Sequence, residues 1–231
     1  MLSLKKKSTI LAMSMGLTLG LAACASEEDT AGTGTSTETE TSADAEPVAA
    51  IDSLTGVQTA VTLDAGFLEG ITALMLTPAT VGGATLDAAT GKIAFPITGG
   101  NVTYFDPASG VDPFVQGLIN HDGSGLSLTG ANGKVVELTD FVVDPAESML
   151  TGKVTVDGDV FAESAPLFIL DGSTVNPLEV NEADGTAVLE GTTVSLTSTA
   201  ADALNMVFET DALAEFFKVG IAEITLELPK S

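Results

Sequence analysis

Arginine and tryptophan are absent from this chain of 231 residues, and cysteine, histidine and tyrosine occur once each. Eight lysines stand against 32 acids, for a formal net charge of −24. Nucleic-acid surfaces need clustered cations to displace counterions, so that class of partner is excluded. A single cysteine rules out an internal disulfide framework and any multi-cysteine metal cluster. A single histidine leaves one place, His121, on which a nucleophile–base–acid arrangement could be built, and too few nitrogen ligands for an ordinary zinc site. No Gly-x-Ser-x-Gly elbow, phosphate loop or Gly-x-Gly-x-x-Gly helix opening is present. Paired carboxylates abound, but one Tyr and no Trp leave little to line a sugar site. The expectation is a protein that is not an enzyme and holds no resident cofactor.

No apolar run reaches the roughly 20 residues that span a bilayer, yet the N-terminus has a three-part layout. Lys5, Lys6 and Lys7 precede an uncharged apolar stretch from Ile10 to Leu21, and Leu21-Ala22-Ala23-Cys24 closes it. The layout is that of a secretory signal. The closing residues resemble the lipobox of bacterial lipoproteins, each of the four matching the pattern. The resemblance implies a diacylglyceryl group on the Cys24 thiol, cleavage before it and anchoring to a membrane that the chain does not cross. Two or three acyl chains hold durably where one is marginal. Ala25 stands where an inner-membrane retention signal would place Asp. The expected address is therefore the outer membrane of a two-membrane bacterium or the outer face of a one-membrane cell.

From Ala25 to Pro47 the chain is Thr, Ser, Gly, Ala and acid, without a large apolar side chain before Val48. Such a segment cannot bury enough surface to offset its ordering entropy. As a coil of about 25 residues it would reach ~25–30 Å, further with like-charge repulsion. The chain is thus divided into a signal peptide at 1–23, a lipidated Cys24 with an acidic tether to residue 55, and a single β-rich domain over 56–231.

Within 56–231, period-2 runs alternate with Gly, Asp, Asn and Pro. Ile93, Phe95 and Ile97 share one face; Leu126 and Leu128, then Leu150, Gly152, Val154 and Val156, then Val194 and Leu196, then Ile224, Leu226 and Leu228 repeat the pattern. Lys134 to Val143 and Leu167 to Leu170 are apolar on both faces and suit central strands. Asp122-Gly123, Asp157-Gly158, Asp171-Gly172, Asp184-Gly185 and Asn132-Gly133 supply the positive-φ residues of tight hairpins. Asp64 to Met75 carries Phe67, Leu68, Ile71, Leu74 and Met75 at helical spacing behind an Asp64 N-cap. Thr199 to Phe208 forms a second helix, opened by Thr199 and Asp202 in capping-box spacing; Asp211 to Phe217 adds a further turn. Each helix follows a strand, Val61–Leu63 or Val194–Leu196, as in a degenerate strand–helix repeat. The fold class is mostly β (α+β): an antiparallel sandwich or barrel with two or three short helices covering a face or an end.

The acid-rich turns Asp106–Asp112, Asp157–Asp159 and Asn181–Gly185 offer oxygen ligands but match no calcium loop, and Asp and Gly are what hairpins use. His121 and Tyr104, the only imidazole and phenol, lie close in sequence. The stretch Gly117–Leu128, followed by Val135–Asp144 and Leu150–Val156, resembles part of the haem-uptake HtaA-type domain of bacterial envelopes. That resemblance implies Tyr104 as the axial iron ligand and His121 as its support. Two expectations result. The first is a non-catalytic β-rich domain binding an extracellular or cell-wall partner, the second a small-ligand carrier with haem as the ligand.

Overall fold

Alternation decides the architecture: nearly every run with apolar residues at period 2 is a strand whose apolar side faces one interior. The computed structural model describes residues 45–54 and 56–228; the signal segment, Cys24 and all but the end of the tether lie outside the described residues. The chain runs β1 (Ala49–Ile51), β2 (Gly56–Leu63), α1 (Ala65–Ala73), β3 (Thr77–Gly82), β4 (Thr85–Asp87), β5 (Lys92–Pro96) and β6 (Gly99–Tyr104). It continues through β7 (Val115–Thr129), β8 (Val135–Asp144), β9 (Met149–Val156), β10 (Asp159–Asp171), β11 (Glu179–Asn181), β12 (Thr186–Leu196), α2 (Ser198–Phe208) and β13 (Lys218–Glu227). The described residues belong to one compact unit, and its core runs from Leu54 to Leu226. β1 lies in the segment expected to be tether, where Ala49–Ile51 pair with Tyr104–Val102 of β6.

All strands pair antiparallel in one sheet of order β1-β6-β7-β8-β9-β10-β12-β13-β2-β5-β4, with β3 added to β7 and β11 to β12. The sheet curls into an incomplete barrel. Its seam lies between β5 and β7, where Thr98 N–H donates to the Asn120 carbonyl at 2.8 Å. β2 and β12 both pair antiparallel with β13, so they run the same way, and the helices that follow them leave from the same end. Ala200, Ala201 and Leu204 of α2 are buried there.

Several local readings change. Asp157 and Gly158 have φ of 53° and 88°, the paired left-handed residues of a tight β9–β10 hairpin. Asp122-Gly123 is not a hairpin: β7 runs straight through it as a bulge, with residues 122–124 opposing Asp140 alone between the pairs His121↔Phe141 and Gly125↔Thr139. The same positive-φ chemistry serves both purposes. Asp64 caps α1 by accepting from Gly66 N–H, but Leu68 and Met75 are exposed while Ile71 is buried. The N-cap of α2 is Thr197, not Thr199: its hydroxyl accepts from Ala200 N–H and donates to the Pro166 carbonyl at 2.8 Å. Asp211–Phe217 forms no helix.

Candidate functional site

The bulge in β7 fixes the direction of His121. Gly123 N–H donates to Asp140 Oδ1 at 2.8 Å, and the buried Ser124 hydroxyl donates to the His121 carbonyl at 3.0 Å. Asp122 N–H donates to Thr98 Oγ1 at 2.9 Å. Held this way, the imidazole points inward and is 1 % exposed. Its Nδ1 lies 2.9 Å from the Pro96 carbonyl at the end of β5. A carbonyl only accepts, so Nδ1 carries the proton and Nε2 accepts from the Thr59 hydroxyl of β2, 3.2 Å away. Three strands that are distant in sequence therefore meet on one ring. Burial pushes the His121 imidazole below its ordinary value, against the opposing pull of the Pro96 carbonyl and the Asp122 charge. At neutral pH the ring is uncharged.

From His121 an edge-to-face series crosses the interior. His121 meets Phe95 at 6.3 Å between centroids, Phe95 meets Phe141 at 5.3 Å, and Phe141 meets Phe168 at 6.3 Å. Such pairs contribute about 0.5–1.5 kcal/mol each beyond the area they bury. They form part of the wall of a cavity of about 400 Å³, within the range of small-molecule sites. Its remaining wall is aliphatic, with Ile93, Val143, Val194 and Ala222 among the contributors. Thr59, His121 and the half-buried Thr192 are the polar side chains on the inner wall; the exposed Asp112, Ser148, Asp171 and Ser173 stand at the mouth, and no lysine lines the space. Between α2 and β8–β9 a smaller void of about 30 Å³ marks where the helix closes the opposite end.

Of the residues singled out from sequence, His121 is on the cavity wall and Tyr104 is not. Tyr104 sits opposite Val115 in the β6–β7 ladder, six residues before His121 in the same strand, which at strand rise is ~20 Å away. Its ring packs edge-to-face on Phe114, at 5.9 Å and 88°. The two are not brought together, and the hydroxyl that His121 meets belongs to Thr59. Nothing in sequence marks Thr59, 62 residues from its partner. Cys24 lies outside the described residues. Among the acid-rich turns, Asp106 accepts from Ala108 N–H, Asp157 pairs with Lys134 at 2.7 Å, and Asn181 hydrogen-bonds Asp184.

No protein-family model matches the chain, and no curated protein matches it. Among solved structures, the C-terminal domain of HtaA from Corynebacterium glutamicum is similar to it with a TM-score of 0.51 and 16 % identity. The match covers 75 % of this chain and 98 % of that one. Heme binding protein HtaB from the same organism is matched over 78 % of this chain and 96 % of its own, at 12 % identity and a TM-score of 0.48. The N-terminal domain of HtaA follows with 78 % and 99 % coverage, 13 % identity and a TM-score of 0.46. The likeness to the HtaA C-terminal domain is one of fold: a curled antiparallel sheet closed at one end by helices.

Proposed function

We propose that this protein is a lipid-anchored carrier of the bacterial envelope that holds a small, largely apolar ligand inside its barrel. The observation that supports this reading is the cavity of about 400 Å³, walled by aromatic and aliphatic side chains with Thr59, His121 and Thr192 as the polar side chains within it. A few oriented polar groups in an apolar hollow are what small-molecule sites have in common. The hydroxyl–imidazole contact between them, Thr59 to His121, is buried, and the ring's other nitrogen bonds the Pro96 carbonyl rather than a carboxylate. The address rests on Leu21-Ala22-Ala23-Cys24. The carrier reading makes the non-catalytic binding domain more specific; a cell-wall or protein partner for its outer surface is the broader alternative.

The test uses the segment 42–231, whose core is complete in itself. N-phenyl-1-naphthylamine, a neutral dye that brightens in apolar surroundings, is titrated in. The expected result is saturable fluorescence that is lost in Thr192→Phe, which fills the cavity, while the circular dichroism spectrum stays unchanged. Equal brightening by the filled variant would overturn the reading.

Haem is the second reading, favoured by one feature: the Pro96 carbonyl fixes His121 with Nε2 on the Thr59 side, as second-shell carbonyls orient metal-binding imidazoles. The residues present do not fit a haem held by tyrosinate. Tyr104 is off the cavity, Thr59 is an alcohol, and no lysine lines the space to meet propionates. Haemin titration of the same segment tests it. A sharp Soret shift abolished by His121→Ala or Tyr104→Phe would establish haem as the ligand, and a featureless titration would remove it.

A further inference from the structure

The cavity's walls and its rim differ in kind, and the difference selects a class of ligand. Phe95, Phe141, Phe168 and Val194 offer the interior nothing but apolar contact. The charged side chains that line the space are Asp112 and Asp171, both exposed at the mouth, with no lysine among the lining residues. Hydrogen bonding from Ser173, whose N–H donates to Asp171 Oδ1 at 2.9 Å, draws the Asp171 pKa below its ordinary value. Serine hydroxyls at 148 and 173 complete the rim. An anionic head would face two carboxylates without a counter-charge, and like charges set against one another discriminate strongly between partners. Within the wall, His121 is neutral and hydrogen-bonded on both sides, so it supplies no cation either.

Resting on the carrier reading above, we infer that the ligand is an amphiphile with an apolar chain or ring system and a protonated amine at its outer end. The body fills the barrel and the ammonium stays at the mouth between Asp112 and Asp171, where water still reaches it. A charge left at a wet rim avoids the desolvation cost of burying it. The acidic field of the whole molecule, −24 in formal charge, draws cations towards that mouth as well.

Dodecylamine, dodecanol and dodecanoate share one chain and differ in the head, and each is used to displace N-phenyl-1-naphthylamine from the segment 42–231 at low salt. The amine is expected to displace at about tenfold lower concentration than the carboxylate, with the alcohol between them, as two rim charges of ordinary strength would give. The gap should narrow as salt is raised. The double variant Asp112→Asn, Asp171→Asn keeps the oxygen that accepts from Ser173 N–H and should bring amine and carboxylate close together. Dodecanoate binding as well as dodecylamine would overturn the inference. So would an order that survives in the double variant, which would trace the preference to net charge. Failure of the dye itself to bind would overturn the carrier reading, and this inference with it; an absent head-group order with the dye bound would overturn this inference alone.

Discussion

At the scale of single residues, the decisive group is His121, because it is buried, neutral and shared between three strands. Its folded-state pKa lies below the 6.5 of an exposed imidazole, so below that pH the unfolded chain takes up a proton that the folded chain refuses. Stability is therefore level above about pH 7 and falls as pH drops through 6.5 towards the lower folded value, with a limiting slope of ~1.4 kcal/mol per pH unit for one proton. Thermal melts from pH 8 to pH 5 should show this fall, and His121→Gln should flatten it. The carboxylates with lowered pKa, such as Asp64 and Asp157 beside their lysines, start from 3.8 and lose their contribution in a more acidic window, so the two effects separate. Thr59→Val removes the donor to Nε2 while keeping the shape. A buried acceptor left without a partner costs ~1–3 kcal/mol, which urea unfolding should register. Sequence made His121 conspicuous by its solitude but gave no hint of Thr59 or Pro96, because a hydrogen bond across a barrel seam leaves no local periodicity.

At the scale of elements, close packing at the glycines sets what the strands tolerate. A Cβ at Gly125, just after the bulge, would meet the Leu138 carbonyl at 2.1 Å, so Gly125→Ala should break the β7–β8 ladder and unfold the seam at His121. At Gly152 the nearest atoms are Phe141 Cδ1 at 2.8 Å and Leu167 Cδ1 at 2.9 Å. Gly152→Ala should cost ~1–3 kcal/mol by overpacking, with the loss measured by denaturant midpoint. Thr197→Ala deletes the α2 cap and its bond to Pro166, at ~1 kcal/mol or more. Strands β5, β7, β8, β9, β12 and β13 were legible because each presents one face to the core, and α1 was legible from its Asp64 cap; the wholly exposed β4 and β11 carry no such pattern. The bulge at 122–124 was not, since Asp-Gly suits a hairpin equally well. The α2 start was misplaced by two residues because Thr197 and Thr199 offer the same hydroxyl, and burial of Thr197 against β10 decides between them.

At the scale of the whole molecule, charge and curvature govern behaviour. With 32 acids against eight lysines, self-repulsion opposes the compact state, and screening over a Debye length of about 8–10 Å relieves it. Melting temperature should rise as salt goes from low to physiological concentration, apart from any effect on ligand binding. If the anchor is as proposed, mass spectrometry of the native product will show an acylated Cys24, and Cys24→Ser will move the protein out of the membrane fraction. That the sheet curls round a hollow could not be read from composition. The interior residues are those of a solid core, and only their three-dimensional arrangement leaves the space. Where the polypeptide enters has a consequence of its own. Val48 N–H donates to the Tyr104 carbonyl, Tyr104 packs on Phe114, and Phe114 lines the cavity near its mouth. On the proposed carrier reading, cargo passes beside β1, the strand at which the expected tether joins the domain, so a bulky fusion placed just upstream of residue 42 should slow loading and unloading alike while leaving the equilibrium between them untouched.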